Sequence, residues 1–108
     1  MNVEEIRDYA LRKEAVTEGF PFGADTLVLK TGNKIFMLIS LDAPHLQMNL
    51  KCDPERAIEL REQYPASILP GYHMNKKHWN TVVVGGLKTE LIMEMIDESY
   101  RLVAKIKK

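Results

Sequence analysis

Cysteine is nearly absent: Cys52 stands alone, so no intrachain disulfide can form and packing must hold the fold. Long apolar runs are missing too, and no segment approaches the roughly eighteen residues that span a bilayer. The opening stretch MNVEEIRDYALRKE is acidic and mixed, where a secretory leader would start basic and turn apolar. These absences predict a cytoplasmic protein. Neither sign of charge is in excess: 15 acids face 15 bases, which removes the strongly basic domain as an argument for nucleic-acid binding. Acids are nonetheless missing locally. None occurs from Gln63 to Thr89, where average spacing would place about four, and Lys76, Lys77, Lys88, His73 and His78 all fall in that window.

Motifs that carry chemistry are scarce as well. Gly85-Gly86 lacks the further glycines and the Lys-Ser/Thr pair of a phosphate loop. His45, Cys52, His73 and His78 show neither zinc-finger nor HExxH spacing, so no metal is expected. Cys52 lies just before a helix start, where partial positive charge favours a thiolate, but Asp53 beside it opposes that effect. Asp25 and Asp42 sit near strand ends, and turn chemistry accounts for both. The chain is therefore expected to be non-catalytic and to need no cofactor.

What is present reads as one α+β domain over residues 1–108, a length sufficient for a single core. Asn2 and Glu5 have capping-box spacing, and Val3, Ile6, Tyr9, Ala10 and Val16 predict a helix from about Val3 to Glu18, stopped by Gly19. TLVLK and KIFMLISL, joined through Thr31-Gly32-Asn33, predict a hairpin. LQMNLK alternates apolar and polar residues, as a strand with one wet face must. Asp53-Pro54-Glu55 starts a helix that Pro65 ends. A short run at Ser67 to Leu69, the strand TVVVG and a helix from about Thr89 to Lys107 complete an α-β-β-β-α-β-β-α order. That order predicts a two-layer sandwich with helices on one face of an antiparallel sheet.

The stretch PGYHMNKKHW, residues 70–79, is the candidate site. Pro70-Gly71 suits the centre of a type II turn, with glycine at positive φ. Asn75 can cap a short turn through Lys76, Lys77 and His78, whose free N–H groups and ammoniums would favour phosphate or carboxylate. Tyr72 and Trp79 offer flat faces to bases or to a peptide; the other reading makes Trp79 a core plug with Tyr72 packed beside it.

The blocks FPFGADTLVLK, NLKCDPERAIELREQYP and ILPGYHMNKKHWNTV resemble those of the MmcQ/YjbR family of small bacterial proteins, and the resemblance spans nearly the whole chain. It implies an α-β(3)-α-β(2)-α fold similar to that of type III secretion chaperones. It also implies DNA binding through a double wing of hairpins. The hairpin around Lys30 and Lys34 and the loop at Lys76, Lys77 and His78 would then be the wings, with His73 and Lys51 also against phosphate, and Tyr72 or Trp79 against bases. Such binding would be weak and salt-sensitive. Two alternatives stand beside it. One is a protein- or peptide-binding adaptor with an adaptable methionine surface, although Met37, Met48, Met93 and Met95 have core-like spacing. The other is a small-ligand protein or enzyme using His73, His78 or Asp25.

Overall fold

Asn2 opens the first helix, α1 (Val3–Leu11), because its side chain accepts the Glu5 N–H at 2.8 Å while Glu5 returns a bond to the Asn2 N–H at 2.9 Å. The computed structural model describes residues 1–71 and 74–104. The expected extension of α1 to Glu18 is not found. Ala15 turns the chain in the left-handed region (φ 62), and Val16–Gly19 forms a strand, β1, paired with the strand that follows. Two bonds from the Arg7 guanidinium to the Glu18 carboxylate, at 2.7 and 2.5 Å, fasten β1 alongside α1. Helical spacing from Val3 to Val16 concealed this break, and the β-branched Val16-Thr17 pair supplies the strand preference that wins.

The remaining elements follow in the expected order: β2 (Thr26–Thr31), β3 (Lys34–Ser40), β4 (Gln47–Lys51), α2 (Pro54–Gln63), β5 (Ile68–Pro70), β6 (Trp79–Val83) and α3 (Thr89–Ala104). The α+β class therefore stands, with β1 added to the three strands expected before α2. For the last helix, the expected residues beyond Ala104 lie outside the described residues. All strand pairs are antiparallel, in the order β1-β2-β3-β4-β6-β5. Gly32 (φ 57) and Asn33 (φ 68) form the tight β2–β3 turn, which requires positive φ at both central residues. Asp53 caps α2 by accepting the Glu55 N–H, and Pro54 stands where no donor is needed. Among the described residues, no helix is long and apolar enough to cross a membrane.

All three helices lie on one face of the sheet. Ile6 and Ala10 of α1, Ala57 and Leu60 of α2, and Ile92, Ile96 and Val103 of α3 share a core with Leu29, Met37, Ile39, Met48, Leu50, Ile68 and Val82. Between Leu29 and Lys30 the register slips, so Phe36 is an extra residue on β3 and points to the helices together with its neighbour Met37. Fully buried Ser99 of α3 spans the gap at that point. Its hydroxyl donates to the Phe36 carbonyl at 2.6 Å and accepts the Lys51 N–H at 2.9 Å, replacing a missing rung between β3 and β4.

A polar knot joins α1 to α3. The Asp97 carboxylate accepts the Tyr9 hydroxyl at 2.7 Å and the Lys13 ammonium at 2.5 Å. Burial acts to raise the Asp97 pKa, but the bonds from Lys13 and Tyr9 outweigh it and hold the group below the usual range. Burial, together with the bond to Asp97, pushes the Tyr9 phenol up to about 12. Because the folded pKa of Asp97 lies below its unfolded value of about 3.9, its stabilisation is present above that value and is lost as pH falls through the folded one. Asp97→Asn is expected to cost about 1–2 kcal/mol at neutral pH and to flatten the acid limb of melting temperature against pH. Thermal melts of both proteins from pH 7 downward check this.

Candidate nucleic-acid interface

Strand alternation divides the sheet residues between two faces. Asn80 of β6 faces the helices, since its Oδ1 accepts Arg61 Nη1 of α2 at 2.9 Å. Its neighbour Trp79 therefore faces the other way, as does Lys51, its direct partner on β4. Lys30 points to the same face, between Leu29 in the core and Thr31, whose hydroxyl reaches the Glu14 carbonyl on the helix side. Val28 and Thr81, both buried, and the half-buried Leu38, Asn49 and Leu69 continue that face across the sheet. Among the described residues, no helix packs on it.

Charge is divided between the two layers. Among the described residues, ten of the 15 acids and four of the 12 bases lie in the three helices, while Lys105, Lys107 and Lys108 fall outside the described residues. The six strands contain one acid, Glu18, and that residue is on the helix side, held by Arg7. Strand bases are Lys30, Lys34 and Lys51. Zero net charge thus conceals an acidic helix layer against an open face whose strand residues include no carboxylate.

The loops expected to act together do lie at one end of the sheet. The Gly32-Asn33 turn, the end of β4 at Lys51 and the β5–β6 connection all project there. At ~4.8 Å per strand, the middle of the β2–β3 hairpin and the middle of the β5–β6 pair are about 14 Å apart. In the connection, Asn75 Oδ1 accepts the Lys77 N–H at 2.9 Å and the Asn75 carbonyl accepts the His78 N–H at 3.1 Å, the short capped turn foreseen. Lys76 and Lys77 are exposed, and His78 and Trp79 are half-buried. The ammonium groups of Lys30, Lys51, Lys76 and Lys77 form no ion pair with any described residue, unlike the Lys13 ammonium and the Arg7 and Arg56 guanidinium groups.

Several expectations fare differently. Tyr72 and His73 lie outside the described residues. Lys34 stands at the same sheet end, but it pairs with Thr31 on the helix side, away from the open face. Gly71 is not a positive-φ turn residue; Pro70 is the last residue of β5, and the Gly71 N–H donates to the Trp79 carbonyl at 2.9 Å. Glycine is required there for space, since an added Cβ would stand 2.9 Å from the Trp79 Cβ. Trp79 is neither a full core plug nor fully exposed. Arg61 is the residue that sequence reasoning missed: besides Asn80 it donates to the Lys76 carbonyl at 3.2 Å, fixing the lysine turn to α2. Nothing in its local sequence distinguishes it from a solvated helix arginine.

Among the described residues, the other candidate groups do not come together. Burial and the charge of Glu98 push the Cys52 thiol up to about 11, so it stays protonated at neutral pH. His45 and Cys52 flank opposite ends of β4, at least roughly 15 Å apart. Asp25 and Asp42 are exposed in loops at the sheet end away from the lysine turn. Met37, Met48 and Met95 are buried and Met93 is half-buried, so they do not form an adaptable surface.

Comparison with known proteins agrees with this architecture. Over 95% of this chain and 99% of the other, a Pseudomonas syringae crystal structure is 30% identical, with a TM-score of 0.82. The crystal structure of Deinococcus radiodurans protein DR2400 is 40% identical with a TM-score of 0.92, covering 99% of this chain and 83% of that one. The uncharacterised protein YbdF of Escherichia coli O157:H7 is 43% identical over 93% of this chain and 82% of its own. The uncharacterised protein YjbR of Escherichia coli K12 is 28% identical over 94% and 86%. A family model described as YjbR matches residues 11–102, and the chain belongs to the YjbR family.

Proposed function

We propose that the protein is a non-catalytic, cytoplasmic DNA-binding module that holds phosphates against the open sheet face and the lysine turn. The separation of charge between layers carries this reading: the strands place Lys30 and Lys51 on a face whose strand residues include no carboxylate, and Lys76 and Lys77 project from the same end. A polyanion gains most of its sequence-independent affinity from such unpaired ammoniums through counterion release. With four lysines and an acidic opposite layer, binding is weak and steeply salt-dependent. Replacing Lys76 and Lys77 by alanine is expected to reduce the slope of log affinity against log salt by about 1.4 on a single strand or about 1.8 on a duplex. Fluorescence anisotropy with a labelled oligonucleotide across a salt series checks this, and an unchanged slope would move the phosphate contacts elsewhere.

A second reading, a peptide-binding adaptor, rests on one observation. Phe20, Phe22 and Leu41 are 52%, 65% and 45% exposed at the opposite end of the sheet, where Phe20 and Leu41 border a cleft of about 480 Å³. Exposed apolar side chains around a cleft suit protein docking. A protein partner retained after nuclease treatment and lost in Phe20→Ser with Leu41→Ser would favour it.

A further inference from the structure

We infer that the open face receives single-stranded rather than duplex nucleic acid, with the Trp79 ring as the platform for one base; this rests on the phosphate-binding reading above. The shape of the site is the first reason. A duplex is read by an element narrow enough to enter a groove, a helix or a two-stranded ribbon. Here the helices carry most of the acids, and the cations lie on a six-stranded face about 24 Å wide. Such a face is too broad for a groove but suits a strand laid across it.

The chemistry between the lysines is the second reason. Trp79 is directly opposite Lys51, so an aromatic ring and a cation stand side by side on adjacent strands. Two strands from Lys51, Lys30 lies about 10 Å away on the same face. Next along the face, the Thr81 hydroxyl donates to Asn49 Oδ1 at 2.6 Å. That bond orients the Asn49 amide, whose N–H₂ group has no partner among the described residues and is a donor for an exposed base edge. In a duplex those edges are paired and stacked; in a single strand they are available to neutral amides and aromatic faces.

The third reason is preorganisation. The Trp79 carbonyl accepts the Gly71 N–H, the absent Gly71 side chain lets the two backbones approach, and Arg61 holds the adjacent Asn80. The ring is therefore carried on a strand held by Gly71 on one side and, through Asn80, by Arg61 on the other, which lowers the ordering cost of stacking a base on it.

Trp79 is the chain's single tryptophan, so its selectively excited emission reports this position alone. The natural protein is titrated at low salt with a thymidine oligonucleotide and with a duplex of equal length. The expected result is quenching by the single strand and clearly weaker binding of the duplex. Trp79→Leu, which keeps apolar bulk without a flat face, should lose about tenfold in single-strand affinity, whereas Trp79→Phe should stay within a few-fold. Should the leucine variant fail to fold, the quenching of the natural protein decides alone. Duplex binding as tight as single-strand binding with unchanged emission overturns the inference and leaves phosphate binding intact. Absence of binding to either nucleic acid overturns the phosphate-binding reading itself.

Discussion

Replacing Lys30, Lys51, Lys76 and Lys77 together by glutamine is expected to lower affinity for a single-stranded oligonucleotide at low salt by about a thousandfold, and to reduce the salt slope by nearly 3. Each phosphate neutralised on a single strand contributes about 0.7 to that slope, so four contacts account for the whole change. None of the four ammoniums is in an ion pair with a described residue, so their removal leaves no buried carboxylate stranded. Their side chains stand on the open face or on the exposed turn, and stability is expected to change by less than about 1 kcal/mol. Loss of affinity with an unchanged melting temperature separates a binding role from a structural one. Replacing Arg12 and Lys88, which are exposed and outside the strands, should leave the slope within about 1 of the natural value.

Phe36→Ala should destabilise the fold by about 3–5 kcal/mol, the largest effect expected of any single truncation here. The side chain is fully buried, its ring meets that of Tyr100 edge-on at 5.4 Å, and its carbonyl receives the Ser99 hydroxyl. Position 36 is also the extra residue of the bulge, so the cavity would open where β3 and β4 already lack a direct rung. Melting temperature should fall by at least about 12 °C, given 4–8 °C per kcal/mol for a domain of this size. Phe36→Leu keeps most of the volume and should cost about 1 kcal/mol. Ile58→Ala, at a residue 49% exposed on α2, should stay within about 0.5 kcal/mol. Equal losses for Phe36→Ala and Ile58→Ala would mean that the core is not centred on the bulge.

Much of the fold was legible because local chemistry and global packing agree. The Asn2 capping box, the Asp53-Pro54 helix start, the Gly32-Asn33 turn and the alternation of LQMNLK are each short-range signals that the structure uses as they stand. Strand β1 was hidden because Val16 fits a helical spacing counted from Val3, and only the left-handed turn at Ala15 and the distant Arg7–Glu18 pair decide against it. The Phe36 bulge was hidden for a similar reason: strict alternation puts residues 36 and 37 on opposite faces, and a register slip is set by the partner strand.

The candidate site was legible in its residue types but not in its geometry. Lys76, Lys77 and the Asn75 cap are local features, and the carboxylate-free window from Gln63 to Thr89 contains them. That Lys30 and Lys51 share the open face with Trp79 depends on strand order, in which β6 inserts between β4 and β5. Lys34 shows the converse: it neighbours Lys30 in sequence, and a single turn places it on the helix side. Arg61 acts through contacts 15 and 19 residues away, which no local pattern carries.

On the proposed function, separation of charge makes the strand layer, not the helix layer, the side that meets a polyanion. Backbone amide shifts recorded during titration with a single-stranded oligonucleotide at low salt test it most directly. Progressive shifts are expected at residues 28–30, 49–51 and 74–81, with α2 and α3 unmoved beyond their contacts to those strands. Shifts confined to the helices or to the Phe20–Leu41 end, or no shifts at saturating oligonucleotide, would contradict it.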